Sequence, residues 1–291
     1  MIDLHLHTTA SDGRLSPPEL VARAAAAGLT TISITDHDTI AAIADVTTAA
    51  AGHGIRVVPG IEITAIDNGR DVHMLGYFFD IASEALTTLL VSQRALRVSR
   101  VREIAARLAS LGMAVDAERV LLKAASRPGS SVGRPQIARE LVRAGYVTSV
   151  QEAFELWLSP GRPGFVARTG PSPADVVDTI HAAGGVASMA HPGVTRRDEL
   201  IAPLADRGLD AIETYHSDHT AEDVGLYRNL ATRLNLLVSG GSDFHGEDTT
   251  ATVAVAHARS QRSTLGIVRL PAEEFAALEA RAHLRQGRAL R

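Results

Sequence analysis

The stretch DLHLHTTASDG at positions 3–13 places two histidines, His5 and His7, at the end of a short apolar segment near the N-terminus. Side chains alternate between the two faces of a strand, so histidines two positions apart point the same way. Asp12 follows in a Ser-Asp-Gly turn. A single histidine on a strand is usually an ordinary polar residue, but this pair closing a strand favours a metal site.

Short apolar runs alternate with helical patterns on both sides of a central helical region. We predict strands at Ile2–His5, Thr31–Thr35, Arg56–Ile63, Asp71–Phe79, Gly185–Ala190, Ala211–Tyr215 and Leu236–Ser239. We predict helices at Pro17–Ala27, Thr39–Ala51, Ala174–Ala183, Arg197–Asp206, Ala221–Leu234 and Ala272–His283. Ser16 and Glu19 form the capping box of the first helix. Such alternation predicts βαβ units and a parallel sheet, and therefore an α/β fold.

The central region has a different pattern. A long helix is predicted from about Ser83 to Leu111, followed by helices near Arg134–Ala144 and Thr148–Leu158. We therefore predict a helical insertion at 94–169 within a domain formed by 1–93 and 170–291. From Arg94 to Gly170 there are 13 basic against 6 acidic residues, a net charge of +7, while the rest of the chain carries −11. This asymmetry indicates a segment that meets an anion, although a solvated arginine-rich face would have the same composition.

The composition excludes several classes of protein. The chain has 291 residues, 45% hydrophobic and 21% charged, which is typical of a soluble globular protein. It contains no cysteine, which excludes disulfides and thiolate ligands. No apolar run reaches the roughly 18 residues of a membrane span, and the N-terminus lacks the pattern of a signal peptide. We therefore expect a cytoplasmic protein with no membrane contact, and we infer no obligate protein partner.

Most of the further metal-binding residue types lie at or just past the carboxyl end of a predicted strand. In a parallel β/α barrel the carboxyl ends of the strands gather at one face, so residues far apart in the chain meet there. With His5, His7 and Asp12, the candidate ligands are His37, Glu62, His73, His191, Asp243 and His245. Nine nitrogen and oxygen donors without sulfur suit two or three ions of manganese, zinc or iron, and a shared carboxylate could bridge two of them.

The motifs DLHLHTTASDG, ITDHDT, PGIEIT, HMLGY, AHPG and GSDFHG resemble those of the PHP (polymerase and histidinol phosphatase) family of metal phosphoesterases. The resemblance spans nearly the whole chain and implies a distorted (β/α)7 barrel with a di- or trinuclear centre, for which we expect Mn²⁺ first. One implied metal set is His5, His7, Glu62 and Asp243, and a second shares Glu62 with His73 and His191. The third is Asp12, His37 and His245, with aspartate where some relatives have histidine at position 12.

The sequence of the insertion resembles one subgroup of this family in particular. SVGRPQIARELVRAGY and AFELWLSPGRPGFV are similar to a subgroup that contains 3′,5′-nucleotide bisphosphate phosphatases and an RNA 5′ exonuclease. This likeness implies attack of a metal-bridging hydroxide on the 3′-phosphate of an adenosine 3′,5′-bisphosphate-like nucleotide, giving the 5′-monophosphate. Many relatives have Gly-Lys-Pro where Gly161–Pro163 reads Gly-Arg-Pro. The change replaces the compact ammonium of lysine with the planar guanidinium of arginine.

Several residues are candidates for substrate binding and proton transfer. Arg134 opens a predicted helix after Ser131, where a guanidinium and a helix N-terminus both favour phosphate. Arg162 and Arg168 are further candidates for a second phosphate. His216 and His219 are candidates for protonating the leaving oxygen, and His216 also for gripping phosphate. Solvent-exposed side chains are the alternative interpretation for Arg134 and for both histidines.

Three rival functions stay open. A 5′→3′ exonuclease on short RNA or DNA would use the same metal site, and a non-catalytic metal- or nucleotide-binding module would keep it without turnover. An amide hydrolase is the third, since barrels that begin with a His-x-His pair also serve that reaction. Aromatic residues are 4% of the chain, which disfavours a long base-stacking track, and Phe154, Trp157 and Phe165 are expected in the core. No functional role is expected for His53, His181, His257 or His283.

Overall fold

Seven strands follow one another in chain order around a single sheet in this computed structural model, which describes residues 1–125, 129–246 and 264–289. The strands are β1 Ile2–Leu6, β2 Thr31–Ile34, β3 Arg56–Asp67, β4 Arg70–Tyr77, β5 Val186–Met189, β6 Ala211–His216 and β7 Leu237–Gly241. The segment after β7 returns to β1, where the amide of Asp243 donates to the carbonyl of His5 at 2.8 Å. A Cβ on Gly241 would lie 2.3 Å from the His5 nitrogen, so glycine permits this approach. The result is the nearly closed, distorted seven-stranded barrel that the sequence predicts.

One strand contradicts the expectation of a parallel sheet. β4 runs antiparallel to both β3 and β5, whereas the other neighbouring strands pair in parallel. The cause is a two-residue turn at Asn68 and Gly69, with φ of 48° and 74°, which joins β3 directly to β4. Asn-Gly is the strongest short hairpin signal, because both residues accept positive φ. The strand prediction that ended at Ile63 was also too short, since β3 continues to Asp67.

The helices are α1 Pro17–Ala26, α2 Ile43–Ala51, α3 Glu84–Ser110, α4 Ala117–Ala125, α5 Arg134–Arg143, α6 Val150–Ala153, α7 Pro173–Ala182, α8 Pro192–Thr195, α9 Ile201–Asp206, α10 Ala221–Leu234 and α11 Ala272–Ala289. A π-helical turn, Phe154–Leu158, continues α6, and a 3₁₀ turn, Asp198–Leu200, precedes α9. The capping box of Ser16 and Glu19 forms as predicted. The sequence analysis missed α4 and placed the start of α2 four residues early, at Thr39.

The described core consists of three clusters of buried apolar side chains. Two of them fill the barrel and the space beneath its helices. The third lies among α3, α4, α5 and α6 and includes Val101, Ile104, Leu108, Ile137 and Leu141. A helical layer outside the barrel needs a hydrophobic core of its own, and this third cluster supplies one. α3 itself runs without interruption through position 94, and the division of the chain at 94 and 169 stays a prediction.

The C-terminal helix is fastened to the amino-terminal end of β6. Asp210, fully buried, accepts hydrogen bonds from Arg281 Nη1 at 2.8 Å, Arg285 Nη2 at 2.6 Å and His181 Nε2 at 2.8 Å. Each of these donors keeps part of its side chain in contact with solvent. This ion network therefore holds α11 at the end of the strand opposite to its carboxyl end. Within the described ranges, no helix has both the length and the apolar character needed to cross a membrane.

Candidate metal centre

Glu62 lies in the middle of β3, and its carboxylate is fully buried. Its Oε2 atom is 3.3 Å from Nε2 of His5 and 3.3 Å from Nε2 of His7. The same oxygen is 3.1 Å from Nδ1 of His37, which follows β2. A bridge between the backbones of His37 and Glu62 fixes this third approach. Histidines from two parallel strands thus meet one carboxylate oxygen.

The other oxygen of Glu62 faces β4 and β5. Oε1 lies 2.7 Å from Nδ1 of His73, which is in the middle of β4. It also lies 3.2 Å from Nε2 of His191, which follows β5. Glu62 therefore faces imidazoles with both oxygens, as a carboxylate shared between two cations would.

Two aspartates complete the cluster. Asp243 Oδ1 lies 3.0 Å from Nε2 of His7 and 3.3 Å from Nε2 of His5. Asp12 Oδ1 lies 3.3 Å from Nε2 of His245, and its Oδ2 lies 3.8 Å from Nε2 of His37. The structure therefore brings together all nine residues that the sequence analysis selected.

Four groups of potential ligands have donor atoms within 4.8 Å of one another among the described residues: His5, His7, Glu62 and Asp243; His7, Asp12, His37 and His245; His37, Glu62 and His73; and His5, Glu213 and His216. The first equals the first implied metal set, and the second contains the implied set of Asp12, His37 and His245. The third differs from the implied set, because His37 and not His191 accompanies Glu62 and His73. The assignment of each ligand to a particular ion stays a prediction.

The donor atoms fit divalent cations. Both ring nitrogens of His7, and Nδ1 of His37, His73 and His191, are buried without a hydrogen-bond partner among the residues that the structure describes. Carboxylate oxygens lie near several of these nitrogens without the alignment of a hydrogen bond, so the atoms converge on shared points instead of on each other. Burial lowers the pKa of His37 to about 3 and that of His191 to about 4, whereas Asp243 and Glu62 outweigh burial and raise the pKa of His7 to about 10. Metals bind the neutral imidazole, so a cation would displace any proton on His7. A site of nitrogen and oxygen donors accepts manganese, zinc or iron.

Two of the candidate ligands have unusual backbone conformations. His191 has φ 27° and ψ 59° although Pro192 follows it, and the residue before proline normally avoids this region. Asp243 has φ 56°. Such conformations persist only where the surrounding structure enforces them, and they concentrate at functional sites. No sequence pattern predicted them.

Sequence analysis missed Glu213, a fully buried carboxylate in β6. Its Oε1 accepts a hydrogen bond from Nδ1 of His5 at 2.9 Å, and its Oε2 accepts from the amide of His191 at 2.8 Å. A carboxylate that binds the outer nitrogen of a ligating histidine fixes its tautomer and orientation. The available signal was an acidic residue within the buried run AIETY.

His216 and His219 both lie near the cluster and not on the open surface. The His216 side chain is buried, with Nε2 3.5 Å from Asp243 Oδ2 and its ring 5.3 Å from that of His191. His219 is partly buried, and both of its ring nitrogens make hydrogen bonds. Their predicted roles in proton transfer and phosphate binding stay predictions.

Four arginines line a small cavity, with room for about one water molecule, between α3, the start of α5 and Arg168. Arg97 donates from Nε to Asp38 Oδ2 at 2.5 Å, and Arg100 donates to the carbonyl of Val166 at 2.8 and 2.9 Å. Arg97 and Arg100 were not among the residues selected from the sequence. The remaining two arginines, Arg134 and Arg168, were.

Asp71 is the acidic partner of Arg134 and Arg168. Its Oδ2 lies 3.3 Å from Arg134 Nη2 and 3.9 Å from Arg168 Nη2. Nε and Nη1 of Arg168 are buried with no hydrogen-bond partner in the described ranges, and burial beside Arg97 lowers the pKa of Arg168 to about 9. Asp71 and His73 point to the same face of β4, so the cavity lies on the side of the metal cluster.

The remaining selected residues have less defined surroundings. Ser131 is buried, its amide donates to the carbonyl of Ala10 at 2.8 Å, and its hydroxyl has no partner. Arg162 is exposed and does not line the arginine cavity. His53 and His283 are exposed, His181 binds Asp210, and His257 lies outside the described residues. The substrate-binding roles of Ser131 and Arg162 stay predictions.

Comparison with known proteins gives consistent matches. The PHP domain family matches residues 3–131. A 5′-3′ exoribonuclease of Haemophilus influenzae is 38% identical over 84% of this chain and 89% of its own length. A 3′,5′-nucleoside bisphosphate phosphatase of Chromobacterium violaceum is 35% identical over 84% of this chain and 87% of its own length. The structure of an amidohydrolase from Chromobacterium violaceum, with bound sulfate and no metal, superposes with a TM-score of 0.81 at 33% identity over 96% of both chains.

Proposed function

Because the chain belongs to the PHP family of metal-dependent phosphoesterases, we propose that it removes the 3′-phosphate of a nucleoside 3′,5′-bisphosphate. The products would be the nucleoside 5′-monophosphate and inorganic phosphate, and the base we favour is adenine. Two anion-binding features next to each other support this substrate. The metal cluster suits the phosphate that is cleaved, and the arginine cavity suits a second phosphate that is retained.

The charge of the arginine cavity carries the proposal. Four guanidiniums line it, and among the described residues the carboxylates that pair with them are Asp38 and Asp71, which leaves two positive charges unbalanced there. A terminal phosphate carries about −1.5 to −2 charges at pH 7, whereas an internal phosphodiester carries one. Guanidinium forks also match the geometry of phosphate oxygens. A terminal 5′-phosphate is therefore the ligand that best balances this cavity.

The cleaved phosphate would lie at the nine-residue cluster described above. Divalent cations held there would supply Lewis acidity, which lowers the pKa of water, orients the phosphate and neutralises its charge. Glu213 orients His5 through Nδ1 and thereby directs Nε2 into the cluster. In the hydrolysis a water oxygen forms a bond to phosphorus, the bond between phosphorus and O3′ breaks, and a proton ends on O3′.

A 5′→3′ exonuclease is the second candidate, and the exoribonuclease among the relatives favours it. The 5′ end of a phosphorylated oligonucleotide carries a terminal phosphate followed by a phosphate on O3′, so it presents the same two groups as a bisphosphate nucleotide. Phe154 and Phe165 face the guanidinium of Arg134, with 5.8 and 5.7 Å from ring centre to carbon, and are thus occupied. This disfavours a long track of stacked bases. The complete ligand set argues against a non-catalytic module.

Two assays with Mn²⁺ present test the proposal: release of phosphate from the nucleotides and release of mononucleotide from the RNA. The substrates are adenosine 3′,5′-bisphosphate, 3′-AMP, 5′-AMP, and a short RNA with either a 5′-phosphate or a 5′-hydroxyl. We expect 3′-AMP to react at least about tenfold less efficiently than the bisphosphate, because it lacks the 5′-phosphate for the cavity. Faster cleavage of the RNA would instead establish the exonuclease. Binding of nucleotide without product would contradict both.

A further inference from the structure

The hydrogen bonds of His219 fix its tautomer. Its Nε2 accepts from the amide of Gly193 at 3.1 Å, and its Nδ1 donates to the carbonyl of Thr214 at 2.9 Å. A peptide N–H only donates and a carbonyl only accepts, so the proton must be on Nδ1 and absent from Nε2. A proton added to Nε2 would point at the Gly193 amide and break that bond. His219 is therefore held as a neutral imidazole.

The bond to Gly193 restrains the turn that carries His191. Gly193 is two residues past His191, whose φ of 27° before a proline is unfavourable. The fit is close, because a Cβ on Gly193 would lie 2.8 Å from Cδ2 of His219. The other side of the His219 ring contacts Tyr227, with 5.3 Å between ring centres. The His219 ring thus lies between Tyr227 of α10 and the strained turn at His191.

His216 is fixed in the opposite tautomer. Its Nδ1 accepts from the amide of Asp218 at 3.1 Å, which places the proton on Nε2. Nε2 is buried, has no hydrogen-bond partner within the described parts of the chain, and faces Asp243 Oδ2 at 3.5 Å. A nitrogen that carries a proton has no lone pair for a cation. The proximity of His5, Glu213 and His216 therefore does not form a further metal site, since the His5 nitrogen on that side is bonded to Glu213.

From these contacts we propose that His216 and His219 are positioning residues, which hold Asp243 and His191 in place and transfer no proton to the leaving group. His219 acts through the Gly193 amide, and His216 acts through the dipole of its N–H group facing Asp243. The inference rests on the proposed hydrolysis for its kinetic consequences. Its structural consequence, the placement of two candidate metal ligands, does not depend on the substrate.

Paired substitutions separate the two bonds of His219. His219→Gln keeps an oxygen near the Nε2 position to accept from Gly193, whereas His219→Asn keeps only the contact to Thr214. We expect Mn²⁺ affinity, measured without substrate by electron paramagnetic resonance, to fall roughly 10–100-fold in His219→Asn and to stay within about threefold in His219→Gln. His216→Gln, which keeps a donor towards Asp243, should likewise retain more affinity than His216→Ala. Equal Mn²⁺ affinity in all variants with unchanged melting temperature would overturn the proposal.

Leaving-group chemistry tests the absence of proton transfer. p-Nitrophenyl phosphate releases p-nitrophenolate, a stable anion that needs no proton, so loss of a general acid would be silent with this substrate and visible with a nucleotide. If His219 is a positioning residue, we expect His219→Asn to lower kcat/KM by the same factor, roughly 10–100-fold, with both substrates. The pH–rate profile should keep both limbs of the wild-type profile. A loss confined to the nucleotide, with the basic limb removed, would identify a general acid and overturn the inference. Because the Mn²⁺ titration needs no substrate, an error in the proposed nucleotide leaves that result intact.

Discussion

At the scale of single residues, Glu62 stands out because nitrogens of five imidazoles lie within 3.3 Å of its two carboxylate oxygens. A carboxylate in this position serves several cations at once, so its charge matters more than its volume. The charge-neutral analogue glutamine keeps nearly the same shape. It therefore isolates the electrostatic contribution.

We predict that Glu62→Gln reduces kcat/KM more than about 100-fold, since partners one step further from a metal already cost about 10–100-fold. Phosphate release at saturating Mn²⁺ measures the effect. Glu222→Gln, at an exposed position of α10, is the matched control and should keep wild-type rates. Near-normal turnover of Glu62→Gln, with its fold intact by circular dichroism, would remove Glu62 from the reaction.

Arg134 offers a second residue-scale prediction. It is one of the four arginines that line the cavity, which is proposed to hold the retained phosphate and not the cleaved one. A hydrogen bond to a charged group contributes about 1.5–3 kcal/mol, so Arg134→Ala should raise KM roughly 10–150-fold with a smaller change in kcat. Arg143→Ala, at the exposed other end of α5, should change neither. A selective loss of kcat would show that Arg134 acts on the reacting phosphate instead.

The candidate ligands could be chosen from the sequence because each one belongs to a short local pattern. His5 and His7 share a face of one strand, and the other ligands follow short apolar runs that any barrel brings together. Glu213 was missed because its importance depends on His5 and His191, which are distant in the chain. The arginine cavity was half found, since Arg97 and Arg100 lie on a long helix whose orientation no local pattern fixes.

At the scale of secondary structure, the hairpin of β3 and β4 decides how the site is built. The sequence showed two adjacent strands with no helix between them, and the Asn68-Gly69 turn was the signal that one of them must reverse. Reversal places His73 in the middle of its strand, directly across from Thr64. The rule that ligands follow strand ends therefore fails for His73, although the residue lies in the cluster beside Glu62.

The attachment of α11 gives a prediction on stability. Removing one partner of a buried ion pair costs about 3–5 kcal/mol, and the partial exposure of Arg281, Arg285 and His181 places the expected cost below that range. We expect Asp210→Asn to lower the free energy of unfolding by about 1–3 kcal/mol in urea denaturation. Phosphate release should stay within about twofold, because Asp210 lies at the opposite end of β6. A large loss of activity at full stability would contradict this separation.

The same carboxylate has a defined pH signature. Burial opposes its ionisation, but His181 and Arg285 outweigh burial and hold the pKa of Asp210 below its usual value. A folded-state pKa below the unfolded value means that the contribution is present above about pH 4 and is lost as the pH falls through the folded pKa. The difference in unfolding free energy between wild type and Asp210→Asn should therefore be constant at neutral pH and shrink in acid. A difference that grows in acid would contradict the network.

At the scale of the whole molecule, the cluster joins segments from the first strand to the loop after the last. A cation bound there links residues that are far apart in the unfolded chain, so binding stabilises the folded state. We predict that chelation with EDTA abolishes phosphate release and lowers the melting temperature by several degrees. Ligand at about 100 times its dissociation constant contributes about 2.7 kcal/mol, and roughly 2–4 °C accompany each kcal/mol in chains of this size class. Mn²⁺ should restore both, whereas unchanged melting would argue against a shared cation site.

The distribution of charge also belongs to this scale. The helical region carries the net charge of +7 noted in the sequence, and four of its arginines line one cavity instead of being dispersed on a solvated face. Composition could indicate an anion but not where it would bind, since that depends on how α3 and α5 pack. The interpretation of the basic region as an anion site thus gains its support from tertiary structure.

The central claim, that side chains from across the chain bind a group of divalent cations at Glu62, is tested most directly by anomalous diffraction at the manganese edge from crystals grown with Mn²⁺. We predict two or three strong anomalous peaks, at least two of them in contact with Glu62 and the others bounded by Asp12, Asp243 and the surrounding histidines. No peak at Glu62, or peaks only elsewhere on the protein, would contradict the account.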